Sequence, residues 1–542
     1  MRRLVVTVAS ALIAFTSMAS GAASQSVGLG RATDADPTPP VWLPPAALST
    51  APSHAPSISL NARGDAVVVW RDRDTAQITA RVRSAASGRW GAPRALGRDS
   101  ELYVPAAVAV DATGNADVVW VGEGPGAMRS VQGSRYSTVS GRWSSPVAMS
   151  RFALAAGGRP GLVVDAGGSA TVSWVSYGDH GDTRLLTAYR PAGQAWRAPV
   201  EVARVPAEMF FTHIDLAAGG DGTTLLTWSV YRGYWAEPVG TKPSPVSIHA
   251  VLGRDGTWQA PTTLATVRDG DGQPAAAVGA SGLAAVGWLG TEHGNAIVRV
   301  STRQVGAPAW TPEARLSFED GQAEPPQLGV DGRGNLTAIW KVTQVDVESS
   351  TLPAGSDLWP RPIVVSGPAE SAGGITLAVN TSGDAVAVWN VSGFFGSVVA
   401  AIRPVGAPVW SPPVVVSGDG DVVRSEGVAI DAVGNSLVVW TELRPDRWYG
   451  GVGSATLDAA APELATLRVP AKGRVGKKLA FSASFRDISN TSIQWRFGDG
   501  RSTKGPHVVH AYRPPGRYAV TVTATDAARR ETTSTRSVRI TR

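Results

Sequence analysis

The sequence predicts an all-β protein, a large β-propeller followed by a small immunoglobulin-like β-sandwich. Three observations predict this fold class. A motif that ends in tryptophan recurs eight times, at spacings of 49 to 60 residues, and a period near 50 with strand-like content is typical of propeller blades. A second tryptophan motif alternates with the first. The repeat then stops, and about 80 residues of a different strand pattern follow.

The composition agrees with many short strands joined by turns. The chain has 542 residues, of which 61 are glycine and 38 are proline, the residues that most often interrupt strands with turns. Hydrophobic residues make up 43% of the chain, which is enough to bury a large core. The absence of cysteine excludes disulfides, thiol catalysis and iron–sulfur clusters.

Residues 1–24 have the features of a secretory signal peptide. Arg2 and Arg3 precede the apolar run from Leu4 to Phe15, which is too short to cross a bilayer. Small residues at Ala22–Ser24 suit a cleavage site. We therefore expect a secreted, extracellular protein, free or associated with the cell surface, with no membrane span after cleavage.

The first motif is an Asp/Asn-x-x-Gly turn followed by a valine-rich run that ends in tryptophan. It is clearest at 61–70, 111–120, 331–340 and 431–440, and weaker copies end at Trp174, Trp228, Trp288 and Trp389. Such runs suit strands that are buried on both faces. The motif therefore predicts a tight turn between two strands in each repeat.

The second motif is Trp-x-x-Pro, or a close variant, before an apolar pair. It occurs at Trp90, Trp143, Trp196, Trp258, Trp310, Trp359 and Trp410, and an additional copy at Trp42 lies before the first repeat. We interpret the repeated tryptophans as packing anchors rather than ligand contacts.

Each repeat divides into four strands, A to D, and the count of repeats predicts eight blades. A ring of seven blades with one degenerate repeat is the alternative. The last repeat lacks strand D, and residues 42–49 can supply it, which would close the ring and cover an exposed strand edge. The predicted propeller spans 37–457, and a linker at 458–463 follows it.

The C-terminal segment, residues 464–542, contains Trp495-Arg-Phe-Gly-Asp-Gly500, His510-Ala-Tyr512 and the alternating strand from Gly516 to Asp526. These motifs resemble the PKD family of small extracellular immunoglobulin-like domains. The segment departs from the family at Arg496, where an aspartate is usual. The resemblance implies a role in spacing, adhesion or substrate presentation, and rarely catalysis.

Charge is concentrated in this C-terminal segment. Residues 461–542 contain 16 basic and 5 acidic side chains. Such a surface is either simply solvated or able to hold an anionic polymer. No nucleic-acid-binding motif is present, and we expect no nucleic acid partner.

Strand parity separates two faces of the ring. The A–B and C–D turns, which form the turn face, are short and repetitive. The B–C and D–A loops, which form the loop face, vary in length and sequence, as binding loops on rigid scaffolds do. Aromatic and acidic residues suit sugar rings and hydroxyls, and the predicted ligand-binding residues on the loop face are Tyr177, Asp179, Tyr231, Tyr234, Trp235, Phe394, Trp448 and Tyr449.

The predicted function is non-catalytic binding of a carbohydrate or cell-surface polymer by a monomer, without cofactor or metal. A glycoside hydrolase or polysaccharide lyase remains an alternative, because the loops carry enough acids to supply a catalytic pair. A structural module that binds a protein partner is another. Asp269-Gly-Asp271 and Asp419-Gly-Asp421 resemble fragments of calcium loops, but we interpret them as plain surface turns because two acids do not fill a calcium coordination sphere.

Overall fold

The protein is described from a computed structural model, and all of its regular elements in the described residues are β-strands. The structure describes residues 39–100, 104–123, 129–150, 159–178, 181–232, 245–267, 272–317, 322–342, 346–367, 372–391, 396–418, 422–442 and 450–542. The predicted signal peptide lies outside them. No helix in these ranges is long and apolar enough to cross a membrane.

The first part of the chain forms small sheets in sequence order. Strand β1 is Val41–Ser49. Sheet 1 contains β2 (Ser53–Leu60), β3 (Ala66–Asp72), β4 (Gln77–Ser84), β5 (Arg89–Trp90) and β6 (Arg94–Arg98). Sheet 2 contains β7 (Ala107–Val110), β8 (Ala116–Glu123), β9 (Arg129–Ser137), β10 (Arg142–Trp143) and β11 (Val147–Ala148). Sheet 3 contains β12 (Gly161–Val164), β13 (Ala170–Tyr177), β14 (Thr183–Arg190) and β15 (Val200–Val205). Sheet 4 contains β16 (Met209–Ala218), β17 (Thr223–Arg232), β18 (Val246–Arg254), β19 (Thr257–Trp258) and β20 (Thr262–Val267).

The same antiparallel arrangement continues in the next four sheets. Sheet 5 contains β21 (Ala275–Val278), β22 (Leu283–Glu292), β23 (Asn295–Gln304) and β24 (Ala314–Arg315). Sheet 6 contains β25 (Gln327–Val330), β26 (Leu336–Val342), β27 (Asp346–Leu352) and β28 (Ile363–Val364). Sheet 7 contains β29 (Ala372–Val379), β30 (Ala385–Val391), β31 (Val398–Arg403) and β32 (Val414–Val415). Sheet 8 contains β33 (Val422–Ile430), β34 (Ser436–Glu442) and β35 (Val452–Asp458), and its fourth strand is β1.

The eight sheets in the described part of the chain are arranged as a ring, which confirms the propeller fold. The first strands of successive sheets lie side by side in chain order, and β33 of sheet 8 lies against β2 of sheet 1. Six of these first strands line a cavity of about 370 Å³ with mostly small and aliphatic side chains. Strand β1 pairs antiparallel with β35, from Val41 opposite Asp458 to Ser49 opposite Val452.

The core lies between neighbouring sheets. The tryptophans that end the first motif are at most 3% exposed, and they are Trp70, Trp120, Trp174, Trp228, Trp288, Trp340, Trp389 and Trp440. Each packs with aliphatic residues, in most cases from two adjacent sheets. The valine-rich runs are buried because both faces of the second strand contact other sheets.

An aspartate–asparagine pair ties the turns of the turn face together in five sheets. The pairs are Asn61/Asp65, Asp111/Asn115, Asp331/Asn335, Asn380/Asp384 and Asp431/Asn435, and in each the amide donates to the carboxylate. The second member also accepts a main-chain N–H at 2.7 to 2.9 Å, from the C–D connection in four sheets and from Ala459 in the linker after β35 in sheet 8. The intervening glycine has positive φ in all five turns, a conformation that favours glycine.

The C-terminal domain is a two-sheet sandwich. One sheet contains β36 (Glu463–Arg468), β38 (Leu479–Arg486) and β41 (His507–His510). The other contains β37 (Lys472–Arg474), β43 (Glu531–Thr541), β42 (Gly516–Thr525), β39 (Ser492–Arg496) and β40 (Ser502–Lys504). Trp495, Phe497 and Tyr512 are buried between the sheets, and the Tyr512 hydroxyl donates to the main-chain oxygen of Phe497 at 3.1 Å.

The C-terminal domain packs on the turn face of the ring at sheets 1 and 8. Ile488 is buried against Ala66 and Leu437. The Arg83 guanidinium donates to the main-chain oxygen of Gly64 at 2.6 Å and to the main-chain oxygens of Asp487 and Ile488. The domain therefore covers part of the turn face, on the opposite side of the ring from the predicted ligand-binding loops.

Candidate functional site

The structure describes two of the eight residues that the sequence predicts to bind ligand, Tyr177 and Tyr231, and both lie at strand ends on the loop face. The other six, Asp179, Tyr234, Trp235, Phe394, Trp448 and Tyr449, lie outside the described residues.

Tyr177 and Tyr231 lie on adjacent sheets. Tyr177 ends β13 and is 40% exposed; it pairs with Thr183, whose hydroxyl donates to the main-chain oxygen of Met209 in sheet 4 at 2.9 Å. Tyr231 pairs with Phe210, and their ring centroids are 5.7 Å apart. Phe210 and Tyr231 are half-buried, and Tyr231 packs against the buried cluster between sheets 4 and 5. We use the name sheet 3–4 rim for Tyr177, Phe210 and Tyr231, the aromatic residues at the loop-face ends of these two sheets.

Charged pairs surround the rim. Asp182 contacts Arg184 at 3.1 Å and Arg204 at 3.4 Å. Arg232 and Glu208 form an exposed ion pair at 3.1 Å. The exposed Arg232–Glu208 pair contributes little to stability, so these two side chains can exchange partners with the hydroxyl or carboxylate groups of a ligand.

A second aromatic surface lies between sheets 1 and 2, in a groove of about 570 Å³. Trp143 on β10 pairs with Tyr136 on β9, and their rings are tilted by 50° at a centroid distance of 5.4 Å. Both rings are partly exposed, and the exposed Arg94 and Arg142 also line the groove. We call these four residues the sheet 1–2 groove.

The sequence assigned Trp143 to packing, and the structure shows both packing and exposure. Its ring and that of Tyr136 pack against the buried cluster between sheets 1 and 2. The signal that could have revealed the groove is Tyr136. It stands seven residues before Trp143, where Arg83 precedes Trp90 and Arg403 precedes Trp410. Tyr189 holds the same position before Trp196, so an aromatic residue replaces the arginine in sheets 2 and 3.

The corresponding space between sheets 3 and 4 is filled by the protein itself. The Trp258 indole donates to the Thr187 hydroxyl at 2.8 Å. The Tyr189 hydroxyl donates to Asp255 at 2.9 Å, and Arg197 lies over the Tyr189 ring. Trp258 and Tyr189 therefore make hydrogen-bond or cation–π contacts within the chain. Tyr136 and Trp143 instead leave part of their rings exposed in the sheet 1–2 groove.

The only carboxylate on an innermost strand with a raised pKa among the described residues is Asp215. Burial raises its pKa, and its oxygens accept main-chain N–H groups of Leu216 and Ala276 at 2.9 and 2.8 Å. Arg159 is the charged residue that acts on it. This carboxylate therefore joins neighbouring strands of the ring, and no second acid stands beside it in the described structure to form a hydrolytic pair.

A buried charged group lies at the loop-face end of sheet 1. Arg71 contacts Asp99 at 3.2 Å and the His54 ring at 3.2 Å. Burial, followed by the charges of Arg71 and Arg73, lowers the pKa of His54 to about 4. The imidazole is therefore neutral at pH 7, and the group acts as a fixed polar contact between β2, β3 and the end of β6.

The C-terminal domain matches a known family. The model of the PKD domain matches residues 466–539. Residues 466–539 are a PKD domain. Its Trp495-Arg-Phe-Gly-Asp-Gly500 segment forms the end of β39 and the following turn, where the His510 ring contacts Asp499 at 2.8 Å.

Similar solved structures include proteins of several activities. The chain is 10% identical to the polysaccharide lyase Uly1, with 76% of this chain and 90% of that chain covered and a TM-score of 0.45. It is 13% identical to the six-bladed fungal lectin of Aleuria aurantia, with 68% and 98% covered and a TM-score of 0.37. It is 24% identical to the PKD1 domain of the Vibrio cholerae metalloprotease PrtV, with 15% and 100% covered and a TM-score of 0.14. No functional inference is drawn from similarities at these TM-scores.

Proposed function

We propose that this is a secreted, non-catalytic binding protein that recognises an acidic carbohydrate polymer. The observation that supports the proposal most directly is the sheet 1–2 groove. It combines an open volume with two partly exposed aromatic rings and two exposed arginines.

The groove matches the chemistry of uronic acid units. Aromatic faces pack against the C–H faces of sugar rings. Guanidinium groups form paired hydrogen bonds with carboxylates. In the described structure Arg94 and Arg142 form no ion pair, and a sugar carboxylate could bind either of them. The groove therefore favours an anionic glycan over a neutral one.

The sheet 3–4 rim is the second surface that supports the proposal. It lies on the face opposite the PKD domain, so a polymer can reach it without displacing that domain. Tyr177 and Phe210 offer aromatic surface, and Arg232 is exposed beside them. A long polymer could contact several such surfaces at once and gain avidity.

The proposal is tested with the purified chain on polygalacturonate and on a neutral glucan, with mass spectrometry of the supernatant. We expect retention on polygalacturonate without new products. Arg94→Ala with Arg142→Ala should weaken this binding about tenfold or more, because two charge-assisted contacts are lost. Tyr177→Ala with Phe210→Ala tests the rim in the same assay.

A matched control separates the groove from general charge. Arg496 and Arg517 are exposed on the PKD domain, and replacing both with alanine removes the same charge. If this control weakens binding as much as the groove variant does, the net positive charge of the chain and not the groove accounts for the binding. Shortened products would instead identify a hydrolase or lyase, and the absence of both binding and products would contradict the carbohydrate proposal.

A further inference from the structure

A polar pocket opens on the turn face between sheets 6 and 7. Its volume is about 340 Å³, and it is lined by β27, by the A–B turns of both sheets and by the C–D turn of sheet 7 at 403–408. Pockets that enclose small molecules begin at about this size, so this one has room for a single sugar-sized ring rather than for a polymer. The PKD domain packs at sheets 1 and 8, away from this pocket.

The pocket occupies the same place in the repeat as the sheet 1–2 groove, but its wall is polar. Ser349 on β27 stands where Ala80 stands on β4, each opposite the residue before the motif tryptophan. Arg403 stands where Tyr136 stands, seven residues before the second tryptophan of its repeat. A hydroxyl and a guanidinium thus replace a methyl group and an aromatic ring, so the pocket offers hydrogen bonds where the groove offers aromatic surface.

The Ser349 hydroxyl is buried, lines the pocket and has no hydrogen-bond partner in the described part of the chain. Two other polar residues at the same register position do have partners. Thr187 in sheet 3 accepts from the Trp258 indole at 2.8 Å, and Ser454 in sheet 8 donates to the main-chain oxygen of Ala46 at 3.0 Å. Since an unpaired buried hydroxyl costs free energy, a ligand group that pairs with Ser349 gains affinity.

The indole that corresponds to Trp258 does not close this pocket. Trp410 in sheet 7 stands where Trp258 stands in sheet 4, and its Nε1 is buried and lacks a partner among the described residues. The Arg403 guanidinium instead lies over the Trp410 ring, 5.1 Å from the ring centroid. The hydrogen bond that fills the space between sheets 3 and 4 is therefore not formed between sheets 6 and 7, and the space stays open.

Positive charge predominates around the pocket. Arg333, Arg361 and Arg403 line it together with one acid, Asp331. The Asp331 carboxylate already accepts the Asn335 amide at 2.6 Å, and the Arg333 side chain forms no ion pair in the described structure. The charge of the pocket wall therefore favours an anionic ligand over a cationic one.

Arg403 is the arginine that is held in place for such a ligand. Its guanidinium donates to the Thr351 hydroxyl at 2.5 Å and to the Thr337 hydroxyl at 2.7 Å, which uses two of its five N–H groups. Burial lowers the pKa of Arg403, because the charged group has lost part of its hydration. A carboxylate that binds there would replace this lost hydration with charge-assisted hydrogen bonds.

We propose that the sheet 6–7 pocket binds a single acidic sugar unit, with its carboxylate at Arg403 and a ring hydroxyl at Ser349. Guanidinium groups form paired hydrogen bonds with carboxylates, and a sugar hydroxyl can donate to a serine or accept from it. The choice of an acidic sugar rests on the proposed function, whereas the pocket and its residues are separate from the sheet 1–2 groove. The groove suits an extended chain, and the pocket suits one unit at a chain end.

The first experiment is calorimetric titration of galacturonic acid into the full chain carrying Arg94→Ala and Arg142→Ala, so that the groove does not contribute. We expect one bound sugar per chain. Galactose, which lacks the carboxylate, and acetate, which lacks the ring, should each bind at least about tenfold more weakly.

Each outcome of this titration decides one part of the proposal. No binding of galacturonic acid up to about 10 mM overturns the pocket site. Retention of the unmodified chain on polygalacturonate would still support the proposed function in that case. Galactose or acetate that binds as tightly as galacturonic acid contradicts the acidic sugar as the ligand.

Two variants locate the bound sugar. Ser349→Ala removes a hydroxyl without a partner in the described structure, so it should weaken galacturonic acid binding about fivefold or more without lowering the unfolding midpoint. Arg403→Lys keeps the charge but loses the paired geometry, and should weaken binding about tenfold.

Ser229→Ala is the matched control. The Ser229 hydroxyl is also buried and without a partner among the described residues, but it belongs to β17 in sheet 4 and does not line the pocket. Binding should persist in this variant. Unchanged binding in Ser349→Ala and Arg403→Lys, or an equal loss in Ser229→Ala, overturns the assignment to the sheet 6–7 pocket.

Discussion

At the scale of single residues, the aspartate–asparagine pairs of the turn face follow one rule, which is that each turn pairs one carboxylate with one amide. Five A–B turns contain one carboxylate and one amide, in either order. The amide always donates to the carboxylate, and the second residue always accepts a main-chain N–H from the segment that follows strand C. The order of the two residues is therefore free, but two carboxylates or two amides would leave a mismatched contact.

Asn335→Asp tests this rule in sheet 6. The substitution places a carboxylate 4 residues from the buried Asp331 and removes the amide that donates to it at 2.6 Å. We expect the free energy of unfolding at pH 7 to fall by about 1–3 kcal/mol, because a hydrogen bond to a charged group is replaced by repulsion. Denaturant unfolding measures the change.

The double variant Asp331→Asn, Asn335→Asp is the matched control. It recreates the order found at Asn61 and Asp65, where the same contacts are made. We expect it to recover most of the stability that Asn335→Asp loses. A double variant that is no more stable than the single one would show that the order of the pair matters and that the rule is wrong.

Asp431 adds a pH dependence to the same set of turns. Burial raises its pKa from 3.8 to about 6. The folded protein therefore holds this proton more tightly than the unfolded chain, and its contribution to stability is full below about pH 4 and is lost as the pH rises through about 6.

Asp431→Asn removes this titration. Because two amides then face each other at Asn435, the variant should be less stable than the wild type at every pH. The stability difference between wild type and variant should be largest near pH 4 and should shrink towards pH 7. Unfolding measured at a series of pH values checks this, and a difference that stays constant over the range would contradict the assignment.

At the scale of elements, the end of β4 is the contact that fixes the PKD domain to sheet 1. Arg83 is buried, and its guanidinium donates hydrogen bonds to the main-chain oxygens of Asp487 and Ile488. Arg83→Met keeps much of the packing but leaves these carbonyls without a charged donor. We expect elastase to cleave the linker at 459–463 about tenfold faster or more, since the domain undocks more often.

Arg403→Met is the comparison for that variant. Arg403 occupies the same position relative to its tryptophan in sheet 7, and its guanidinium donates to the Thr337 and Thr351 hydroxyls within the ring. This variant should lower the stability of the ring and leave linker cleavage unchanged. Equal acceleration of cleavage in both variants would mean that ring stability, and not docking, controls access to the linker.

The elements that the sequence predicts well are those whose determinants are local. The A–B turn and second strand depend on ten consecutive residues such as 331–340, so the repeat shows them directly. The PKD motif around Trp495 is equally local. The docking of Ile488 could not be predicted, because Ile488 and its contacts Ala66 and Leu437 are far apart in sequence and meet only when the PKD domain packs on the turn face. The sheet 1–2 groove was not predicted because the Trp143 ring packs against the buried cluster and also remains partly exposed.

At the scale of the whole molecule, the ring closes by joining its two ends in one sheet. Strand β1 covers the edge of β35, and Leu48 is buried with Trp70, Val439 and Val452 between sheets 8 and 1. Without β1, sheet 8 would expose an unpaired strand edge and part of this cluster. The closure therefore contributes to stability and to solubility together.

Removing β1 tests the closure. A chain that begins at Thr50 lacks β1, while a chain that begins at Pro40 keeps it and serves as the control. We expect the Thr50 chain to unfold about 10 °C lower or more, because Leu48 and six residue pairings are lost. It should also aggregate at concentrations where the control stays monodisperse, as light scattering would show, because the free edge of β35 can pair with another chain. Equal melting temperatures in calorimetry would mean that contacts between neighbouring sheets hold the ring without its closing strand, and that β1 only shields the edge.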